Sequence, residues 1–151
     1  MTAITVRASN TDDWEVIVDY NCRLATESED TQLDSRLVQA GVQALLADPN
    51  KGRYFVACSD ERIVGQMMHT WEWSDWRNGE IWWLQSVYVE PEFRRRGIFR
   101  LLYDHILKEA ESNPNVVGIR LYVENDNELA QETYRSMGME HAGYSVMQRF
   151  L

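Results

Sequence analysis

Val87-Tyr88-Val89-Glu90-Pro91-Glu92-Phe93-Arg94-Arg95-Arg96-Gly97-Ile98-Phe99-Arg100 carries the marks of a strand, a turn and a helix start in succession. Valine and tyrosine favour a strand, and Pro91 stops it because proline cannot donate to a ladder. Gly97 then opens a helix to about Ser112, with Leu102, Ile106 and Ala110 on its inner face. Backbone N–H groups at a helix start are unpaired and sit at the positive end of its dipole. With Gly97 allowing close approach and arginines around it, this is a phosphate cradle. An ordinary strand-to-helix turn with a solvated basic cluster reads the same residues equally well.

Outward from that stretch, the chain alternates strands with helices. Upstream, Ile4-Thr5-Val6-Arg7 alternates like a short edge strand. Trp14, Ile17, Val18, Asn21, Cys22 and Ala25 form a mostly apolar helical stripe, and Glu27-Ser28-Glu29-Asp30 reads as a loop. A second helix fits Asp34 to Leu46. Strands fit Tyr54–Cys58, Ile63–Trp73 and Glu80–Val89, joined by turns at Ser59–Arg62 and Ser74–Gly79. Downstream, Val116–Val123 is a strand, and Asp126 or Asn127 caps a helix that bears Ala130, Thr133, Tyr134 and Met137. Gly138 is its natural stop. Tyr144–Phe150 reads as a last strand. This order predicts one α/β domain over residues 1–151 with a mixed sheet.

The bulk properties narrow the function. Of 151 residues, 44% are hydrophobic and 26% charged, as in ordinary globular chains. Acidic residues number 24 and basic residues 15, a formal charge of -9. That argues against nucleic acid as a partner. Cys22 and Cys58 form no Cys-x-x-Cys pair, and His69, His105 and His141 have no metal-ligand spacing, so no metal is assigned. The start, Met1 to Arg7, lacks a signal-peptide core, and no apolar run reaches the ~20 residues of a membrane span. The expectation is a cytoplasmic protein without a membrane partner.

Val89-x-Pro91-x-x-Arg94-Arg95-Arg96-Gly97-Ile98 resembles the acetyl-CoA pyrophosphate loop of GNAT acetyltransferases, Arg/Gln-x-x-Gly-x-Gly/Ala, with Phe99 in place of the small last residue. Val123-x-x-x-Asn127-x-x-Ala130-x-x-x-Tyr134-x-x-x-Gly138 resembles that family's second signature. The resemblance implies a mixed, mostly antiparallel sheet with helices on both faces. It implies acetyl-CoA as cosubstrate. Val87, Tyr88 and Val89 would pair with the pantetheine arm. Arg94, Arg95, Arg96, Gly97, Ile98, Phe99 and Arg100 would cradle the pyrophosphate. Asn127 and Ala130 would meet the pantetheine, and Tyr134 would be the general acid. Each has a plainer reading: Val87 and Val89 as strand core, Asn127 as a helix cap, Tyr134 as packing.

The implied reaction acetylates a primary amine, expected to be small and cationic or polyamine-like. An alkylamine has a pKa of ~10.4 and must lose a proton before attack. Spermidine/spermine-type acetyltransferases, similar in layout, carry a glutamate where this chain has Gln85, and an amide is no useful base. Glu72 is the substitute; a solvated strand-end carboxylate explains it nearly as well. Glu27, beside Glu29 and Asp30, is expected at the acceptor site, with Gln85. Trp71, Trp73, Trp76, Trp82 and Trp83 suit a cation, although sheet core or a homodimer surface explains most of them. A protein or peptide amine, and a non-catalytic acyl-CoA sensor, are the competing readings.

Overall fold

The computed structural model describes residues 3–151; Met1 and Thr2, the start of the segment read for a signal peptide, lie outside them. The chain forms two compact units, Met1–Leu121 and Tyr122–Leu151.

In the first unit, a five-stranded sheet runs in the order β1-β2-β3-β4-β5. The strands are β1 (Ile4–Ala8), β2 (Arg53–Ser59), β3 (Arg62–Ser74), β4 (Gly79–Val89) and β5 (Val116–Leu121). β1 to β4 are antiparallel neighbours, and β4 and β5 are parallel. A parallel pair needs a crossover, supplied by α3 (Ile98–Ser112). The expected mixed, mostly antiparallel sheet is therefore present.

Side-chain alternation along β2 and β3 builds two cores. Tyr54 and Met68, cross-strand partners, pack with Ile17 of α1 (Trp14–Glu29) and Val42 of α2 (Ser35–Ala47). Phe55 and Gly65 face the other way. The Phe55 ring lies 5.1 Å from His105 of α3, and a Cβ on Gly65 would meet Ile98 and Leu102. Helices thus cover both faces. His69 shares the α3 face, fully buried and stacked 4.0 Å from the Trp82 ring.

α1 runs through residues 27–29, where the sequence suggested a loop. Asp30 ends it in the left-handed region (φ 49°), and the N–H groups of Asp30 and Thr31 both reach the Ala25 carbonyl. Three polar residues can extend a helix when the apolar stripe before them is already packed.

The second unit holds α4 (Glu128–Ser136). Gly138, φ 92°, closes it: its N–H reaches the Arg135 carbonyl and the Met139 N–H reaches that of Tyr134, each at 3.0 Å. This is the paired end-closure that favours glycine. Residues 144–150 form no strand, contrary to expectation. Alternation of residue types cannot make a strand without ladder partners for its N–H and C=O groups.

Candidate acetyl-CoA and acceptor site

β4 contains one residue more than its partner. Gln66 pairs with Tyr88 and Met68 with Gln85, so Ser86 and Val87 oppose Met67 alone, and Ser86 has φ 52°. This is a β-bulge. Buried Gln66 holds it by donating from Nε2 to the Ser86 carbonyl at 3.0 Å and to Asn21 Oδ1 at 2.8 Å. Asn21 in turn donates to the Tyr54 hydroxyl at 2.9 Å. On the other edge of β4, the parallel ladder with β5 ends at Leu84↔Leu121. Residues 85–89 therefore carry one strand edge outside that ladder, as pairing with an extended pantetheine arm requires.

Just beyond this edge, Gly97 caps α3 with φ 78° and Arg95 has φ 62°. No side chain caps the first turn of α3, so its leading amides point outward. A Cβ on Gly97 would have nothing within 4 Å, which leaves open space for an anion. The residues present fit a pyrophosphate. Left-handed Arg95 and Gly97, separated by Arg96, give the alternating backbone hand in which neighbouring N–H groups form an anion-binding concavity.

The arginines divide by role. Arg95 is exposed and makes no hydrogen bond or ion pair among the described residues. Arg96 lies over the Phe93 ring at 5.2 Å, and Arg100 bonds Asp104 at 3.2 Å. Arg94 is committed elsewhere: Nε donates to the Val89 carbonyl at 2.9 Å and Nη2 to Glu27 Oε2 at 2.8 Å. Ile98 is buried, and the Phe99 ring pairs with Tyr103 on its own helix at 6.3 Å.

Glu27 accepts from both Arg94 and the Tyr88 hydroxyl, the latter at 2.9 Å. The Arg94 hydrogen bond, more than the Tyr88 one, holds this carboxyl below its ordinary range. Glu90 was not anticipated. It takes both Arg23 nitrogens at 3.2 Å and the Tyr20 hydroxyl at 3.1 Å. Partial burial alone would raise Glu90, but the Arg23 and Tyr20 bonds outweigh it and hold it low. Arg23 and Arg94 both lie over the Tyr88 ring, at 5.2 and 5.3 Å. Only the Pro91 stop hinted at this cluster, because its members lie 67 to 70 residues apart in part.

Glu72 and Gln85 lie on the sheet face that carries α1 and α2. Glu72 Oε1 accepts from Trp83 Nε1 at 3.2 Å, and Oε2 from Arg120 Nη1 at 3.1 Å. Gln85 Nε2 donates to Thr70 Oγ1 at 2.8 Å. In the second unit, Asn127 Oδ1 accepts from the Ala130 N–H at 3.0 Å, so the helix-cap reading of Asn127 holds and its amide nitrogen stays outside that bond. Burial raises the Tyr134 phenol above its ordinary value.

A glycine-started helix beside a half-open strand edge suits a ligand with a phosphate group and an extended arm. The comparisons then fix the class. Residues 14–139 match the family described as Acetyltransferase (GNAT) family, and the chain belongs to it. It is an N-acetyltransferase of a family that uses acetyl-CoA as acyl donor. A possible acetyltransferase from Clostridium difficile 630 is 42% identical, with a TM-score of 0.93 over 98% of this chain and 97% of that one. A predicted acetyltransferase from Clostridium acetobutylicum, solved with acetyl-CoA, shares the fold at 18% identity and TM-score 0.79, over 97% and 96% of the chains. The [Ribosomal protein bS18]-alanine N-acetyltransferase of Salmonella typhimurium (strain LT2) is 37% identical over 59 residues, which span 39% of each chain. Among the described residues, no helix is long and apolar enough to cross a membrane.

Proposed function

We propose that this enzyme acetylates a primary amine by direct attack on acetyl-CoA held at the Gly97 helix start. The observation that carries this is the uncapped first turn of α3 beneath open space at Gly97. Val87 to Val89 offer backbone groups to the pantetheine arm, and Arg95 to Arg100 receive the pyrophosphate. Bound acetyl-CoA supplies a thioester: the C–N bond forms, the C–S bond breaks with its electrons on sulfur, and an ammonium acceptor yields amide, thiol and one proton.

The residues then have these roles. Asn127 holds the pantetheine through its amide nitrogen. Tyr134 is the general acid, and its raised pKa keeps the hydroxyl protonated at neutral pH. Glu72 accepts the ammonium proton, directly or through water. Gln85, bonded to Thr70, lines the acceptor side. Glu27 serves the cofactor side instead, since its bonds to Arg94 and Tyr88 tie it to the basic loop and the end of β4. A polyamine therefore finds fewer open carboxylates here than the composition suggested.

A small-molecule amine is the first reading of the acceptor. A protein amine is the second, and the segment shared with a ribosomal-protein-alanine acetyltransferase favours it. The test is free-thiol release from acetyl-CoA with a mixed panel of small amines and peptides. Calorimetry with acetyl-CoA alone runs beside it. No binding at millimolar acetyl-CoA would end the proposal.

A further inference from the structure

Thr70 and Glu72 of β3, Trp83 and Gln85 of β4, and Arg120 of β5 form one strip on the α1/α2 side of the sheet. The register sets Thr70 opposite Trp83 and Trp83 opposite Arg120. Glu72 and Gln85 follow by alternation from Thr70 and Trp83. The pair at its centre is Glu72–Arg120, at 3.1 Å, with side chains 42% and 25% exposed. The strip ends at the bulge, beside the strand edge assigned above to the pantetheine arm.

Both Glu72 oxygens already have partners. A plain amine or polyamine that takes the place of Arg120 on Glu72 leaves a half-buried guanidinium without its carboxylate. Losing one partner of such a pair costs more than forming it gains. An acceptor with a carboxylate of its own avoids that loss. Its carboxylate takes Arg120 while its ammonium takes Glu72, so the partners are exchanged and none is lost. The guanidinium fork matches a carboxylate in two-point geometry. Because Glu72 and Arg120 touch, the acceptor's charges must also be close, as in an α-amino acid. The exchange also frees Glu72 from Arg120 only when the correct acceptor is present, at the moment a base is needed.

We propose that the Glu72–Arg120 pair selects the acceptor, and that the acceptor is a free α-amino acid whose carboxylate binds Arg120 while its ammonium binds Glu72. This rests on the acetyl-transfer reading above and narrows it.

The test compares common α-amino acids with their carboxamides and with simple diamines, by thiol release from acetyl-CoA. The free acid should exceed its amide in kcat/KM by about 10- to 100-fold, the worth of a charge-assisted contact. In Arg120→Met that ratio should collapse toward one through KM for the free acid, and Arg120→Lys should restore part of it. A melting scan and acetyl-CoA calorimetry on each variant check folding and the cofactor site. Amides or diamines used as well as the acids by the parent enzyme would overturn the inference. So would an Arg120→Met variant that lowers acid and amide rates together with the ratio unchanged, the mark of a merely structural ion pair. Peptides turned over while every free amino acid is refused would overturn it in favour of a protein acceptor. No turnover of any acceptor with acetyl-CoA bound would sink this inference alone; no acetyl-CoA binding would sink the acetyl-transfer reading, and this one with it.

Discussion

Glu27 Oε2 and Arg94 Nη2 stand 2.8 Å apart, tying the last turn of α1 to the first arginine of the basic loop. Arg94 also holds the Val89 carbonyl, so one guanidinium fastens helix, strand and loop together. In the proposed binding of acetyl-CoA, this fastening keeps Gly97 and the leading amides of α3 in place.

Glu27→Gln should therefore loosen the loop and weaken acetyl-CoA binding several-fold at neutral pH. The carboxyl titrates low in the folded state, chiefly through Arg94. A depressed carboxylate stabilises above its unfolded pKa and loses that contribution as pH falls through its folded pKa. Parent and Glu27→Gln should thus differ in urea midpoint at pH 7 and converge below the ordinary glutamate range. The difference should be small, under about 1 kcal/mol, because the pair is exposed. Equal midpoints and equal affinities at pH 7 would remove the tether from the account.

Gly97 separates backbone strain from anion access. Gly97→Val places a β-branched residue at φ 78° and should destabilise the fold by about 1–2 kcal/mol. Gly97→Asn tolerates that conformation and should keep most of the stability. Both put a side chain where the anion approaches, so calorimetry should show weaker acetyl-CoA binding in each. Full affinity in Gly97→Asn would mean that the anion does not pass over Gly97.

His69 makes the core sensitive to acid. Burial, then the charge of Arg53, lowers it from 6.5 to about 4. Neither ring nitrogen has a hydrogen-bond partner among the described residues, and the ring is sandwiched by Trp82 and Phe55. A base with a depressed folded pKa leaves the unfolded chain holding the extra proton between the two values. Stability should fall as pH drops from 6.5 toward 4, by up to about 3 kcal/mol from this group. His69→Leu should lack that component, which paired urea titrations at pH 7.5 and 5 would reveal as a smaller loss.

Tyr134→Phe removes one hydroxyl and keeps the ring. Turnover should fall ~10²–10⁴-fold if the hydroxyl is the acid, with acetyl-CoA affinity little changed. Turnover within a few-fold of the parent would leave Tyr134 as packing only.

What the sequence made legible follows from how local each signal is. The Gly97 helix start and the Gly138 helix stop were readable because each is written in a single residue with a special backbone conformation. The strands at 54–58 and 80–89 were readable from residue type. The bulge was not, because Ser86 adopts φ 52° without being glycine or asparagine, and Gln66, which holds its carbonyl, lies 20 residues away. Glu72 was picked out for its carboxylate, but its partner Arg120 is 48 residues distant. Glu27 was placed beside the acceptor, since nothing near it in sequence announces Arg94. At 144–150 the alternation was real, and a ladder was inferred from it that the chain does not form.

The extra residue at Ser86 has one more consequence. A strand counts in twos, and a single inserted residue changes odd to even for everything after it. Gln85 and Tyr88, three positions apart, therefore point the same way, one toward Thr70 and the other toward Glu27. If Ser86 lay within a regular ladder instead of the bulge, Tyr88 would turn to the opposite side of the sheet and Val89 would take its place against α1. Deleting Ser86 would straighten β4 and leave Gln85 and Tyr88 two positions apart on the same side, so the extra residue shapes the strand edge and spares the direction of both side chains.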